Sequence, residues 1–171
     1  DITDKKRVEE LSVTDRLTGL FNRIKLDQVV AEQHERLARY NETYALILLD
    51  IDHFKAINDT FGHLVGDGVL ETLGRLVKDS IRATDVAGRW GGEEFLVVWP
   101  HTDAQGATAT AEHLRSVIKD STFPDVPSVT ASLGVAAVDS GDDPDTLMKR
   151  VDDALYTAKR NGRNRVATAS I

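Results

Sequence analysis

Apolar positions first recur at helical spacing. Between Asn22 and Tyr40, residues Ile24, Leu26, Val29, Val30, Leu37 and Ala38 form one stripe, which predicts an amphipathic helix. The rhythm then changes. Tyr44-Ala45-Leu46-Ile47-Leu48-Leu49 is a continuous apolar run, which predicts a strand buried on both faces. It ends at Asp50-Ile51-Asp52. A short helix over 53–60 and a longer one over 65–82 come next. Apolar segments at 86–89 and 95–99 flank Gly91-Gly92 and predict a β-hairpin, with Trp90 and Trp99 packing on either side of it. A helix over 103–119, a strand over 129–138, a helix over 144–161 and a strand over 165–168 complete the pattern. Residues 1–13 read as a short helix with only Val8 and Leu11 on one face, too few to dock on a core, so this helix is expected to continue upstream. A hairpin set centrally among crossovers predicts an α+β fold, with a mostly antiparallel five-stranded sheet flanked by helices.

Composition narrows this picture. The chain has 171 residues, enough for one domain with a proper core. No apolar run approaches the roughly 20 residues that span a bilayer, and no signal peptide is visible. The start at Asp1 rather than Met suggests a piece of a longer protein. There is no cysteine, which fits a cytoplasmic location and leaves any metal to oxygen or imidazole ligands. The formal net charge of −7 argues against a nucleic-acid surface. It also means that a polyanion bound near carboxylates needs a divalent cation between them.

Candidate chemistry concentrates in a few places. Asp50 and Asp52 share one face of a buried strand at its carboxyl end, and Lys55 follows at a helix start, where phosphate is favoured. Two carboxylates there suit a hard cation, whose remaining shell is water and phosphate. The plain alternative is a strand exit with N-capping aspartates and a solvated lysine. Gly91-Gly92-Glu93-Glu94 is the second place. Paired glycines supply the positive φ angles of a tight turn and clear space for a ligand, and the two glutamates point to opposite faces of the strand that begins there. If the strand ending at Asp50 pairs with this hairpin, Asp50 and Glu93 converge on one cation suited to in-line attack at phosphorus. Asn58 and Asp67 match the hydrogen-bonding edge of guanine, although on their own they read more simply as turn and cap residues around Gly62, Gly66 and Gly68. Lys159 and Arg163 can reach a triphosphate or serve as helix C-capping charges. Arg82 and Asp85 can form a surface ion pair. The histidines, His53 and His63 among them, show no metal-ligand spacing.

Taken together, these segments resemble the GGDEF-domain diguanylate cyclases. The resemblance runs from Asp15-Arg16-Leu17-Thr18 through Asp50-Ile51-Asp52-His53-Phe54-Lys55, Asn58-Asp59, Gly66-Asp67 and Gly91 to Phe95. It continues to Tyr156-Thr157-Ala158-Lys159 and Gly162-Arg163-Asn164. It implies a palm-like domain over 14–171, as in nucleotide cyclases and polymerases, after the end of a signalling linker helix over 1–13. It implies that Asp50, the Ile51 carbonyl and Glu93 hold metal, two Mg²⁺ per site with Mn²⁺ as the alternative ion. Glu94 assists the metal or the 3′-hydroxyl. Lys55, Lys159 and Arg163 contact phosphate. Asn58 and Asp67 read guanine, with Leu70, Phe54 and His53 beside the substrate. Arg82 and Asp85 match an inhibitory product site, for which His113 and Arg115 stand where the family often adds an arginine. The implied activity joins two GTP into cyclic di-GMP in a homodimer controlled by an upstream sensor, with no direct membrane insertion by this piece of chain. The competing reading is a non-catalytic receptor for cyclic di-GMP or a GTP-sensing module. Such proteins usually carry a damaged signature, and this signature is intact.

Overall fold

The computed structural model describes residues 12–169. The expected helix at 1–13 falls almost wholly outside them. A mixed sheet of five strands is flanked by helices on both faces. Along the chain the elements are α1 (Arg23–Tyr40), β1 (Tyr44–Ile51), α2 (Phe54–Phe61), α3 (His63–Ser80), β2 (Val86–Arg89), β3 (Glu94–Pro100), α4 (Ala104–Asp120), β4 (Ala131–Ala137), α5 (Pro144–Arg160) and β5 (Val166–Thr168). The strand order is β2-β3-β1-β4-β5. All neighbours are antiparallel except β4 and β5, which run parallel.

The unbroken apolar run in β1 has a direct cause. This strand is central, so both of its faces are covered. Ala45, Ile47, Leu49 and Ile51 join a core with Val69, Leu73 and Val77 of α3 and Ala111, Leu114 and Ile118 of α4. Tyr44, Leu46 and Leu48 join a second core with Leu26, Val29 and Val30 of α1 and Leu147, Val151 and Leu155 of α5. Trp99 belongs to the first core and Trp90 packs on the second, so the two indoles do lie on opposite sides of the hairpin.

Three local expectations need correcting. The α1 stripe is narrower than its spacing suggests: Ile24 is 61% exposed and Ala38 is exposed, because the sheet reaches only the side carrying Leu26, Val29 and Val30. Helix α3 stops at Ser80 instead of Arg82, because the Asp85 carboxylate accepts a hydrogen bond from the Arg82 backbone N–H at 2.7 Å and draws the chain into a turn. Neither Gly91 nor Gly92 has a positive φ. The loop between β2 and β3 spans Trp90 to Glu93, and Trp90 N–H and Gly91 N–H both donate to the Glu94 carbonyl, at 2.8 and 3.2 Å. A loop of that length turns without left-handed residues.

Candidate active site

Strand register builds the site. Asp50 sits opposite Glu94 in the antiparallel β1–β3 pair, so their side chains share the face covered by α1 and α5. Glu93 precedes the strand, in the loop, where its backbone carbonyl accepts from the Ile51 N–H at 3.3 Å and its carboxylate lies within electrostatic reach of Asp50. The two glutamates therefore do not separate to opposite faces of a strand, as alternation predicts; the loop places both beside Asp50. From α5, Lys159 Nζ donates to Asp50 Oδ2 at 2.5 Å. Burial raises the Asp50 carboxyl above its ordinary range, although Lys159 opposes the shift. Burial and then the Asp50 charge raise Glu93 and Glu94 as well.

Crowding of this kind is the electrostatic condition for a divalent cation: three carboxylates face one ammonium. Among the described residues no group of three His, Cys, Asp or Glu side chains converges as a closed metal cage. Glu93 and Glu94 instead line an open cavity, with the buried Asp50 and the end of β1 at Ile51 next to them. That donor set fits an ion such as Mg²⁺, which uses one or two carboxylates and completes its shell with water and phosphate oxygens. The pairing of Asp50 with the hairpin, only conditional from the sequence, is thus a feature of the fold.

Asp50 and Asp52 separate in role. Asp52 is 6% exposed, and its carboxylate accepts hydrogen bonds from the hydroxyls of Thr130 (2.8 Å) and Ser132 (2.6 Å) and from the Asn164 backbone N–H (2.9 Å). It caps no helix: α2 starts after His53, whose φ is +57° and whose side chain makes no capping bond.

Next to the carboxylates lies an open cavity of about 440 Å³, lined by Phe54, Asn58, His63, Asp67, Leu70 and the hairpin residues Arg89, Gly92, Glu93 and Glu94. Helices α2 and α3 bring Asn58 and Asp67 together there because Gly66 lets them pack closely: a Cβ on Gly66 would overlap the Asn58 amide oxygen. Gly92 has open space where its Cβ would stand, so a ligand can lie against the backbone. Lys55 is exposed in the first turn of α2, one turn before Asn58, and His53 is exposed beside it. Arg163 is exposed in the turn after α5 with φ +64°, and the structure shows no bond from its side chain to the carboxylates.

Arg89 was not singled out by the sequence. Its guanidinium donates to the Gly92 carbonyl at 2.7 and 3.2 Å and to Asp15 Oδ1 at 3.3 Å, which ties the hairpin to the turn before α1. Its place two residues before Gly91 was a usable signal. Arg23, stacked 4.0 Å over Trp90, also went unnoticed.

The predicted inhibitory pair lies elsewhere, beside the far end of β3. Asp85 is buried and accepts from Arg82 Nη2 at 3.1 Å, while the half-exposed Arg82 guanidinium also donates to the Pro100 carbonyl at 3.2 Å and stacks 4.8 Å from the Trp99 ring centre. This is more organised than a surface ion pair. Arg115 and His113 are not joined to it by hydrogen bonds among the described residues. His113 is exposed on α4, and Arg115 donates to Glu112 at 3.1 Å and to Asn164 Oδ1 at 2.9 Å.

The chain is similar to known proteins throughout. Residues 12–165 match the family described as "Diguanylate cyclase, GGDEF domain". The chain is 40% identical over 173 residues to diguanylate cyclase DgcM of Escherichia coli, covering 99% of this chain and 42% of that protein. It is 41% identical over 163 residues to the response regulator PleD of Caulobacter vibrioides, covering 92% of this chain and 36% of that protein. It therefore spans less than half the length of these relatives. Among solved structures, the coiled coil and GGDEF domain of DgcB from Caulobacter crescentus, in complex with c-di-GMP, superposes with a TM-score of 0.89 at 33% identity, covering 98% of this chain and 91% of that one. The active GGEEF domain of a diguanylate cyclase from Vibrio cholerae gives 0.84 at 38% identity, covering 88% and 97%. With its signature hairpin, its register-matched carboxylates and a family match over nearly its whole length, this chain belongs to the GGDEF-domain diguanylate cyclases.

Proposed function

We propose that the chain condenses two GTP molecules into cyclic di-GMP, releasing two pyrophosphates, as a Mg²⁺-dependent homodimer. The observation that carries this reading is the meeting of Asp50, Glu93, Glu94 and Lys159 at the rim of a cavity lined by Asn58 and Asp67. Asn58 donates to guanine O6, and Asp67 accepts from N1–H and N2–H₂. Leu70 and Phe54 face the base, with His53 beside it. Lys55, Lys159 and Arg163 neutralise the triphosphate. Asp50, Glu93 and the Ile51 carbonyl hold Mg²⁺, two ions per site, which when bound screens the phosphates and acidifies the 3′-hydroxyl. Glu94 hydrogen-bonds that hydroxyl and keeps it aimed.

Each 3′-oxygen attacks the α-phosphorus of the other nucleotide, and the bond to the β-phosphate breaks as pyrophosphate leaves. The described residues bring one such carboxylate set to the base cavity. A second copy must therefore face the first. The DgcB domain is described in complex with c-di-GMP. In this chain Arg82, held flat by Asp85 and Trp99 with half its surface free, is suited to bind the product's phosphate and guanine Hoogsteen edge. Arg115 is committed to Asn164, so inhibition rests on Arg82 and Asp85. The linker at residues 1–13 connects to an upstream sensor that sets dimer geometry.

Glu93→Ala separates synthesis from product binding. It is expected to abolish turnover while calorimetry shows cyclic di-GMP affinity unchanged, because Glu93 and Arg82 lie on different parts of the fold. Equal loss of both would contradict this assignment.

A further inference from the structure

The residue that the active-site account leaves over is Asp52. It is a buried carboxylate beside the phosphate region, and among the described residues it has no cationic partner. Thr130, Ser132 and Asn164 together direct three neutral donors at its two oxygens. Such a carboxylate is stable only while those donors stay in place. Two donors come from Thr130, just before β4, and Ser132, within it. The third comes from the turn after α5, where Gly162, Arg163 and Asn164 take φ values of +121°, +64° and +45° in succession. Two of these are not glycine, so the conformation is strained and has to be held by its surroundings. Other bonds hold the ends of the turn: Arg163 N–H donates to the Ala158 carbonyl at 3.1 Å, and Leu133 N–H donates to the Arg165 carbonyl at 3.0 Å. The middle of the turn, at Asn164, is held by Asp52 through the backbone and by Arg115 through the side-chain amide.

We propose that Asp52 is a positioning residue for the triphosphate: by accepting the Asn164 N–H it fixes the left-handed turn 162–164 and so sets where Arg163 presents its charge next to Lys159. This deepens the proposed cyclase reading and rests on Arg163 meeting phosphate. Asp52 spends its oxygens on Thr130, Ser132 and Asn164 and is assigned no contact with nucleotide or metal. Its substitution should therefore act only through the turn, and only on ligands that carry the distal phosphates.

The test uses 3′-deoxy-GTP, which lacks the attacking hydroxyl, and GMP, each titrated with Mg²⁺ into the wild type, Asp52→Asn, Arg163→Ala and the double variant. Asp52→Asn removes the charge and leaves a single acceptor oxygen for three donors, so the Asn164 N–H bond is either lost or weakened from a charged to a neutral one. It should weaken 3′-deoxy-GTP roughly tenfold or more, in the range typical of residues that orient a binding group, and leave GMP within twofold. The KM for GTP should rise by a similar factor, with a smaller change in kcat. The double variant should bind no worse than Arg163→Ala, because both changes remove one contact. Equal losses for both ligands, or additive losses in the double variant, would overturn the proposal. If Asp52→Asn does not fold, Asn164→Ala probes the same turn: it keeps the backbone N–H but puts alanine at a left-handed position and frees Arg115. It too must weaken 3′-deoxy-GTP selectively, and an unselective loss overturns the idea. Wild-type turnover of GTP is measured alongside. Its absence would remove the cyclase reading, whereas turnover with an unselective Asp52→Asn removes only the role of Asp52.

Discussion

A methyl group on Gly66 would overlap the side-chain oxygen of Asn58, the atom pair on which the packing of α2 against α3 turns. Asn58 is half-buried at the cavity wall, so it would have to rotate, and its amide would leave the guanine edge. The fold itself would lose little, since the displaced atom ends a movable side chain. Gly66→Ala is therefore expected to raise the KM for GTP about tenfold, the worth of one misplaced hydrogen bond to the base, with the melting temperature little changed. Steady-state kinetics beside a thermal melt checks it; unfolding without a KM effect would contradict the role given to Asn58. Gly91 and Gly92 teach the complementary point. Their lack of side chains matters, but not their freedom in φ: a Cβ on Gly91 would stand 3.2 Å from Glu94 Oε1, and Gly92 faces open space. A glycine pair reads the same in sequence whether it serves a turn or a ligand. Only the backbone distinguishes the two.

Among the elements, α5 depends on one close approach. A Cβ on Gly134 of β4 would strike the backbone of Val151 and Leu155. Backbone cannot swing aside, so Gly134→Ala must push α5 off the sheet, at a cost of about 2–3 kcal/mol. Because α5 carries Lys159 to Asp50, turnover should fall together with stability; urea unfolding and an activity assay on the same sample report both. The hairpin is tied at its other side by Asp15. Burial alone would raise this carboxyl, but the hydroxyl and N–H of Thr18 and the Arg89 guanidinium outweigh it and hold Asp15 below its ordinary value of 3.8. A lowered folded-state value means the contribution is fully present above 3.8 and is lost as pH falls through the folded value. Asp15→Asn lacks it at every pH. Its stability deficit in urea should thus stay constant near neutrality and close below pH 3.8; a deficit that grew on acidification would contradict the clamp. Element types and order were legible because periodicity is local: β1 declared itself by a run with no polar break. The Asp52 knot was not legible. Its donors Thr130, Ser132 and Asn164 lie 78, 80 and 112 residues away, and no local pattern encodes them. Arg89 meets Asp15 across 74 residues for the same reason. The Asp85 capture that ends α3 early is short in range, but it needs a carboxylate's direction, which spacing does not give.

At the scale of the whole molecule, the proposed function gives the chain half of a reaction. The carboxylates, Lys159 and the base cavity lie together at one end of the sheet, and the cyclic product needs two nucleotides held in opposed orientation. The pair Arg82 and Asp85, proposed above as the product site, sits beside the other end of β3, next to Pro100 and away from the cavity. The relatives DgcM and PleD are more than twice as long as the segment this chain matches. The most direct measurement of the central claim is the initial rate of cyclic di-GMP formation from GTP and Mg²⁺ over a wide range of protein concentration. The account predicts product, at a rate rising more steeply than protein concentration until dimers saturate. No product at any concentration, even with the chain fused to a dimerising coiled coil, would contradict it.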